Sequence, residues 1–176
     1  METIAAVAER LKTGELGSGA VTTSDIQHCQ ERTMPTRVAT AVWEGGLQSG
    51  TGSFAGQSGK IGGAYSFGTR FGNTPGTNPE ELLAAAEAAC YSMALSLGLE
   101  KNGTPPQRID TKAACTIDKV GDGFKITTMV LTVRAKVPNI DPASFRKIAE
   151  ATKDGCPVSA SLKGNVQIDL NATLEA

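Results

Sequence analysis

Histidine is almost missing from this 176-residue chain: there is one, His28, and tryptophan is as rare, with Trp43 alone. A lone histidine beside Cys29, with no C-x-x-C or paired-His spacing, leaves no zinc-binding set, because a tetrahedral site draws its ligands from such clusters. Excess charge is lacking too. The 17 Lys and Arg balance 18 Asp and Glu to a net −1, and the basic residues are scattered, so no basic stripe exists to follow a nucleic-acid backbone. Uninterrupted apolar runs fall short of the ~20 residues that a bilayer span needs. The opening residues mix Glu2, Glu9, Arg10 and Lys12 among apolar positions and no cleavage pattern follows, so the chain reads as cytoplasmic. In that reducing setting the four cysteines, Cys29, Cys90, Cys115 and Cys156, do not form a standing disulfide framework. The glycine-dense stretch 45–64 contains neither G-x-G-x-x-G feeding a helix nor G-x-x-x-x-G-K-S/T, which excludes the common phosphate loops. No metal and no cofactor is expected, and neither nucleic acid nor membrane as a partner.

What remains is one domain's worth of chain with 40% apolar residues. Residues 1–36 divide from 37–176. The first part reads as a short amphipathic helix over 2–13, with Ile4, Val7, Ala8 and Leu11 on one face, followed by a polar arm to Thr36. In the second part Thr36–Glu44 alternates as a strand, and hairpin-linked strands fit the segments Thr51–Ala55 and Lys60–Ile61. A long helix starts at Asn78-Pro79, where Asn78 suits the cap, Pro79 the first position and Glu81 a capping box. Its Leu82, Ala85, Ala86, Ala89, Cys90, Met93, Ala94 and Leu97 recur at helical spacing, and the residues between are mostly apolar as well, which predicts burial in the interior or between subunits. Three long strands follow: one with Ala113, Cys115 and Ile117 inward, one with Met129, Leu131, Val133, Ala135 and Val137 inward, and a last with Val166, Ile168, Leu170, Ala172 and Leu174 inward. Gly121-Asp122-Gly123 makes a hairpin of the first two. Between the second and third, Asp141-Pro142 starts a helix with Phe145, Ile148, Ala149 and Thr152 inward, ending at Gly155, and Cys156-Pro157 starts another over Val158–Lys163. Runs of strands alternating with helices in this order predict an α+β fold of helices on antiparallel sheets.

The chemistry concentrates on thiols. Burial in a helix interior raises a cysteine's pKa, so Cys90 needs a fixed cation to react, and Arg70, set among aromatics in Tyr65–Phe71, is the candidate. Cys156 sits at a helix start, where free N–H groups favour a thiolate. The two could share an oxidation. The plain alternative is an inert core thiol, and Cys115 on an inward strand face reads that way.

From Trp43 onward the chain resembles the OsmC/Ohr family of thiol-dependent hydroperoxide reductases, its OsmC branch in particular. The resemblance rests on Phe67-Gly68-Thr69-Arg70-Phe71, on Gly76–Leu82 running into Ala88-Ala89-Cys90-Tyr91-Ser92-Met93-Ala94-Leu95, on Ile109-Asp110-Thr111, and on Gly155-Cys156-Pro157-Val158-Ser159. It implies an OsmC-like fold, antiparallel sheets packed on two central helices in an intertwined homodimer with two sites at the subunit interface. It implies that Cys90 is the peroxidatic thiol, Cys156 the resolving thiol, and Arg70 and Glu80 the polar pair that activates the first. Organic hydroperoxides would be the preferred substrates, hydrogen peroxide a poorer one, and a dithiol such as a lipoylated protein the reductant. Phe67, Phe71, Tyr91 and Met93 would line an apolar mouth. A non-enzymatic ligand-binding or redox-sensing dimer of the same fold is the alternative.

Two features depart from the family's pattern. Residues 1–36 have no counterpart in its short members, and Glu87 stands three residues before Cys90, where the OsmC branch commonly has histidine. A carboxylate at that spacing shares the helix face of Cys90 and disfavours its thiolate. Glu80 and Cys90 are ten residues apart, roughly 15 Å along a straight helix. If both act at one site, either a kink folds the first turn back or Glu80 comes from the partner subunit's antiparallel helix, and the second is the expectation.

Overall fold

The computed structural model describes residues 35–175. The helix expected over 2–13, nearly all of the arm, His28 and Cys29 lie outside the described residues.

The first sheet is a meander, β1 (Ala39–Glu44), β2 (Thr51–Gly56) and β3 (Gly62–Ser66), paired antiparallel throughout. Trp43 faces Gly52 across one pair and Gly52 faces Tyr65 across the next, and the Trp43 and Tyr65 rings meet at 5.4 Å. A Cβ on Gly52 would come within 2.7 Å of the Tyr65 ring, so only glycine lets the two aromatics close over the central strand. The third strand begins just after Lys60–Ile61, because those residues serve the turn.

Ser66 ends β3 and caps α1 (Phe67–Phe71), a five-residue helix not foreseen from the sequence. Its cap is reciprocal: the Ser66 side chain accepts from the Thr69 N–H, and the Thr69 hydroxyl accepts from the Ser66 N–H. The long helix α2 (Pro79–Lys101) follows with the expected Asn78 cap, whose side chain accepts the Glu81 N–H at 2.9 Å.

The second sheet holds β4 (Arg108–Val120), β5 (Gly123–Lys136) and β6 (Gln167–Glu175) in that order. β4 and β5 form the antiparallel hairpin, turned at Gly121 with φ 60°, and β6 joins β5 in parallel register. A parallel neighbour needs a crossover, supplied by α3 (Pro142–Gly155) and α4 (Pro157–Leu162). On β5 Met129, Leu131, Val133, Ala135 and Val137 are buried while Thr132, Arg134 and Lys136 are exposed, as the alternation predicts. Leu131, Val133, Ala135 and Val137 pack with Tyr91, Leu95 and Leu99 of α2 and with Phe145 and Ala149 of α3 to form the core.

The buried face of α2 is not the one the spacing picked out. Glu87, Tyr91, Leu95 and Leu99 are fully buried, whereas Ala85, Ala86, Ala89, Met93 and Leu97 form an exposed stripe, with Met93 76% exposed. A helix apolar nearly all round carries no periodicity to select a face, and Glu87, inside the core, is the residue a polarity rule would place outside. The helix as a whole, 23 residues with a mean hydropathy of 1.5 over its most apolar window, is long and apolar enough to cross a bilayer, contrary to the reading from uninterrupted runs. Here its Leu95 and Leu99 side fills the core of the chain's own sheet.

Candidate active site

Cys156 is the joint between two helices: its N–H donates to Thr152 O at 2.8 Å to close α3, and its carbonyl accepts from the Ala160 N–H at 2.8 Å to open α4. Pro157 then starts α4 without needing a partner for a missing N–H. The Cys156 side chain does not cap α4, contrary to the expectation that the free N–H groups there would serve its thiolate. It is fully buried and lies close enough to Cys90 on α2 to raise that thiol. The Val158 backbone of α4 acts on Cys90 in the opposite sense. A helix N-terminus and a second thiol therefore converge on one sulfur, in a chain where both cysteines are free.

Burial pushes the Cys90 thiol above its ordinary value, the neighbouring Cys156 adds to this, and the Val158 backbone opposes it. Glu87 raises it further by coulombic repulsion, the smallest of these contributions. Glu87 accepts a hydrogen bond from the Ser159 hydroxyl at 2.5 Å through Oε1, and its Oε2 has no partner.

The polar pair lies elsewhere. Asn78 caps α2 with its oxygen and donates through Nδ2 to Thr69 O at 3.2 Å, which ties the start of α2 to α1. That tie brings Arg70 beside Glu80, itself only 5% exposed: Nη2 donates to Oε1 at 2.7 Å and Nε to both carboxylate oxygens at 3.1 and 3.3 Å. The Arg70 guanidinium also stands over the Phe71 ring at 5.1 Å. Trp43, Leu47, Tyr65, Phe67, Arg70 and Phe71 line a cavity of about 270 Å³ beside it. Burial raises the Cys115 thiol and the charge of Glu80 adds to it, in keeping with an unreactive thiol.

Within one chain the fold thus brings Cys90 to Cys156 and Arg70 to Glu80, and it does not bring the pairs together. Among the described residues, no arginine is one of the main influences on Cys90. Of the expected mouth residues, Phe67 and Phe71 line the cavity, their rings 4.9 Å apart. Tyr91 does not: it is fully buried and its hydroxyl donates to Ala149 O at 2.9 Å, because the face of α2 that carries it points into the core. Met93 points outward on the exposed stripe, away from that cavity. Three residues went unassigned from sequence. Ser159 lay inside a quoted motif, but its role needed the opposed helices. Val158 acts through its backbone and leaves no side-chain signal. Phe124 stacks on Phe71 at 4.6 Å and was hidden by its place at a strand start.

A family profile described as OsmC-like protein matches residues 71–171. Peroxiredoxin OsmC of Escherichia coli is 47% identical over 130 residues, 73% of this chain and 91% of that protein. The chain belongs to the OsmC family. Organic hydroperoxide resistance protein OhrB of Bacillus subtilis is 34% identical over 96 residues, 54% of this chain and 68% of that protein. In three dimensions an organic hydroperoxide resistance protein from Elizabethkingia anophelis superposes with a TM-score of 0.65 at 24% identity, over 82% of this chain and 99% of that one, which shows the shared OsmC fold.

Proposed function

We propose that this OsmC-family protein is a thiol peroxidase that reduces organic hydroperoxides, and hydrogen peroxide less well, in the cytoplasm. The observation that carries the proposal is the meeting of two free thiols, Cys90 on α2 and the fully buried Cys156 at the start of α4, close enough for one to act on the other. The names of its relatives, a peroxiredoxin and organic hydroperoxide resistance proteins, support it.

In the proposed cycle the Cys90 thiolate attacks the terminal oxygen of the hydroperoxide. The O–O bond breaks, the alkoxide leaves and takes a proton to become an alcohol, and Cys90 becomes a sulfenic acid. The Cys156 sulfur attacks that sulfur, water leaves, and a Cys90–Cys156 disulfide forms. An external dithiol, for which a lipoylated protein is the proposed source, returns two electrons by exchange. Burial raises the Cys90 thiol and so disfavours its thiolate in the single chain, which a cation would offset. A homodimer in which the partner's Arg70–Glu80 pair comes to Cys90 supplies it, and the exposed apolar stripe of α2 is a surface suited to that partner. Phe67, Phe71 and the cavity beside Arg70 would then favour alkyl hydroperoxides.

Peroxide consumption with a dithiol, comparing cumene hydroperoxide with hydrogen peroxide, tests the proposal. Repeated turnover, faster with cumene hydroperoxide and abolished by Cys90→Ser, is expected. A single oxidation equivalent per chain with no turnover would make the protein a redox switch instead.

A further inference from the structure

Glu87 takes no part in the cycle above, yet it is fully buried, and its Oε2 is the one buried side-chain oxygen or nitrogen without a partner among the described residues. Leaving a carboxylate oxygen unpaired in the interior costs on the order of 1–3 kcal/mol or more, so its retention calls for a use. Its surroundings suggest one. Glu87 and Cys90 are three residues apart on α2, and Cys156 and Ser159 are three apart across the start of α4. The Ser159 hydroxyl bonds Glu87, and the Cys156 thiol lies beside Cys90 closely enough to act on it. The two contacts are thus successive rungs between antiparallel chain segments, one helical turn apart, about 5–6 Å at the level of neighbouring Cβ atoms.

Cys156 is itself fully buried, so bulk water is not at hand to take the proton of its thiol. We infer that Glu87 is the proton acceptor for the disulfide-forming step, held by Ser159 with one carboxylate oxygen left open for the proton. This rests on the peroxidase reading of Cys90 and Cys156. As the Cys156 sulfur bonds to the sulfenic sulfur of Cys90, its proton passes to Glu87. The S–O bond of the sulfenic acid breaks, and the departing hydroxide takes the proton back from Glu87 to leave as water, so that the carboxylate is regenerated. The other titratable groups facing this spot are Cys90 and Tyr91 on α2, Cys156 at the α3–α4 joint, and Glu150 on α3, whose charge reaches Tyr91. The Tyr91 hydroxyl is already committed to Ala149 O.

The test separates the two half-reactions by rapid mixing of the reduced full-length protein with one equivalent of cumene hydroperoxide. Sulfenic acid is trapped with a dimedone probe, and the disulfide is followed by loss of free thiol. Glu87→Gln keeps the shape and a carbonyl acceptor for Ser159, but cannot take a proton. In this variant sulfenic acid should form at least as fast as in the wild type and accumulate. Disulfide formation should slow about 100-fold, the lower end of what a positioned base contributes, and its rate should lose the acidic limb of its pH profile. Ser159→Ala keeps the carboxylate and should slow the step less while retaining that limb. A Glu87→Gln protein that closes the disulfide at the wild-type rate with the wild-type pH profile overturns the inference and leaves the peroxidase reading standing. A wild type that forms no sulfenic acid at Cys90 overturns both.

Discussion

Arg70 and Glu80 form a two-pronged ion pair within one chain, Nη2 to Oε1 at 2.7 Å, while Glu80 lies ten residues before Cys90 on the same helix and neither of the pair is among the main influences on that thiol. The pair is therefore available to a thiol other than the chain's own. Mixed dimers decide between the arrangements. If Cys90 of one subunit works with Arg70 of the other, Cys90→Ser mixed with Arg70→Ala after unfolding and refolding together recovers about a quarter of wild-type turnover, one live site in the half of dimers that are mixed. If each subunit is self-sufficient, the mixture stays as inactive as its parents.

The contact of Tyr91 with Ala149 makes a claim about stability and not about substrate. Tyr91→Phe leaves the Ala149 carbonyl without its side-chain donor in a dry core, and unfolding in urea should show a loss of about 1–3 kcal/mol. The KM for cumene hydroperoxide should stay at the wild-type value, which distinguishes a core role from a mouth role.

Glu87 raises the Cys90 thiol through its charge, so neutralising it works in the opposite direction. In Glu87→Gln the pH profile of Cys90 alkylation, read residue by residue by mass spectrometry on the reduced protein, should move to lower pH. A profile that stays in place or moves up would show that the carboxylate exerts no field on the thiol.

Cys90, Cys115 and Tyr91 are all held above their ordinary values of 9.0, 9.0 and 10.0, chiefly by burial. Below those values both folded and unfolded chains keep the protons and the full stability is present. Above them the unfolded chain releases protons that the folded chain retains, so stability falls as pH rises from about 9 toward the raised folded values. Thermal unfolding between pH 8 and 11 should show a falling Tm, with a shallower fall in Cys115→Ala than in the wild type.

The strand β5 was legible because one of its faces is buried and the other wet: the alternation over Met129–Val137 survives unchanged in the structure. The helix starts at Asn78 and Asp141 were legible for a similar reason, since their caps are local chemistry, and both side chains accept the expected N–H groups. The orientation of α2 was not, because a face can be read only against a contrasting one, and Ala, Leu and Met surround the helix. α1 was missed because five residues hold no period. At the site, Cys90 and Cys156 could be singled out as thiols, but the action of the α4 backbone on Cys90 rather than on Cys156 depends on how α4 packs against α2, which no spacing encodes. The pairing of Arg70 with Glu80 depended on Asn78, whose second hydrogen bond reaches back to Thr69.

Cys156 is pinned by its backbone on both sides, closing one helix and opening the next, while only its side chain meets Cys90. Any reductant that acts on this pair therefore has to come in through Cys90, the more accessible of the two, because Cys156 offers no surface to an incoming molecule.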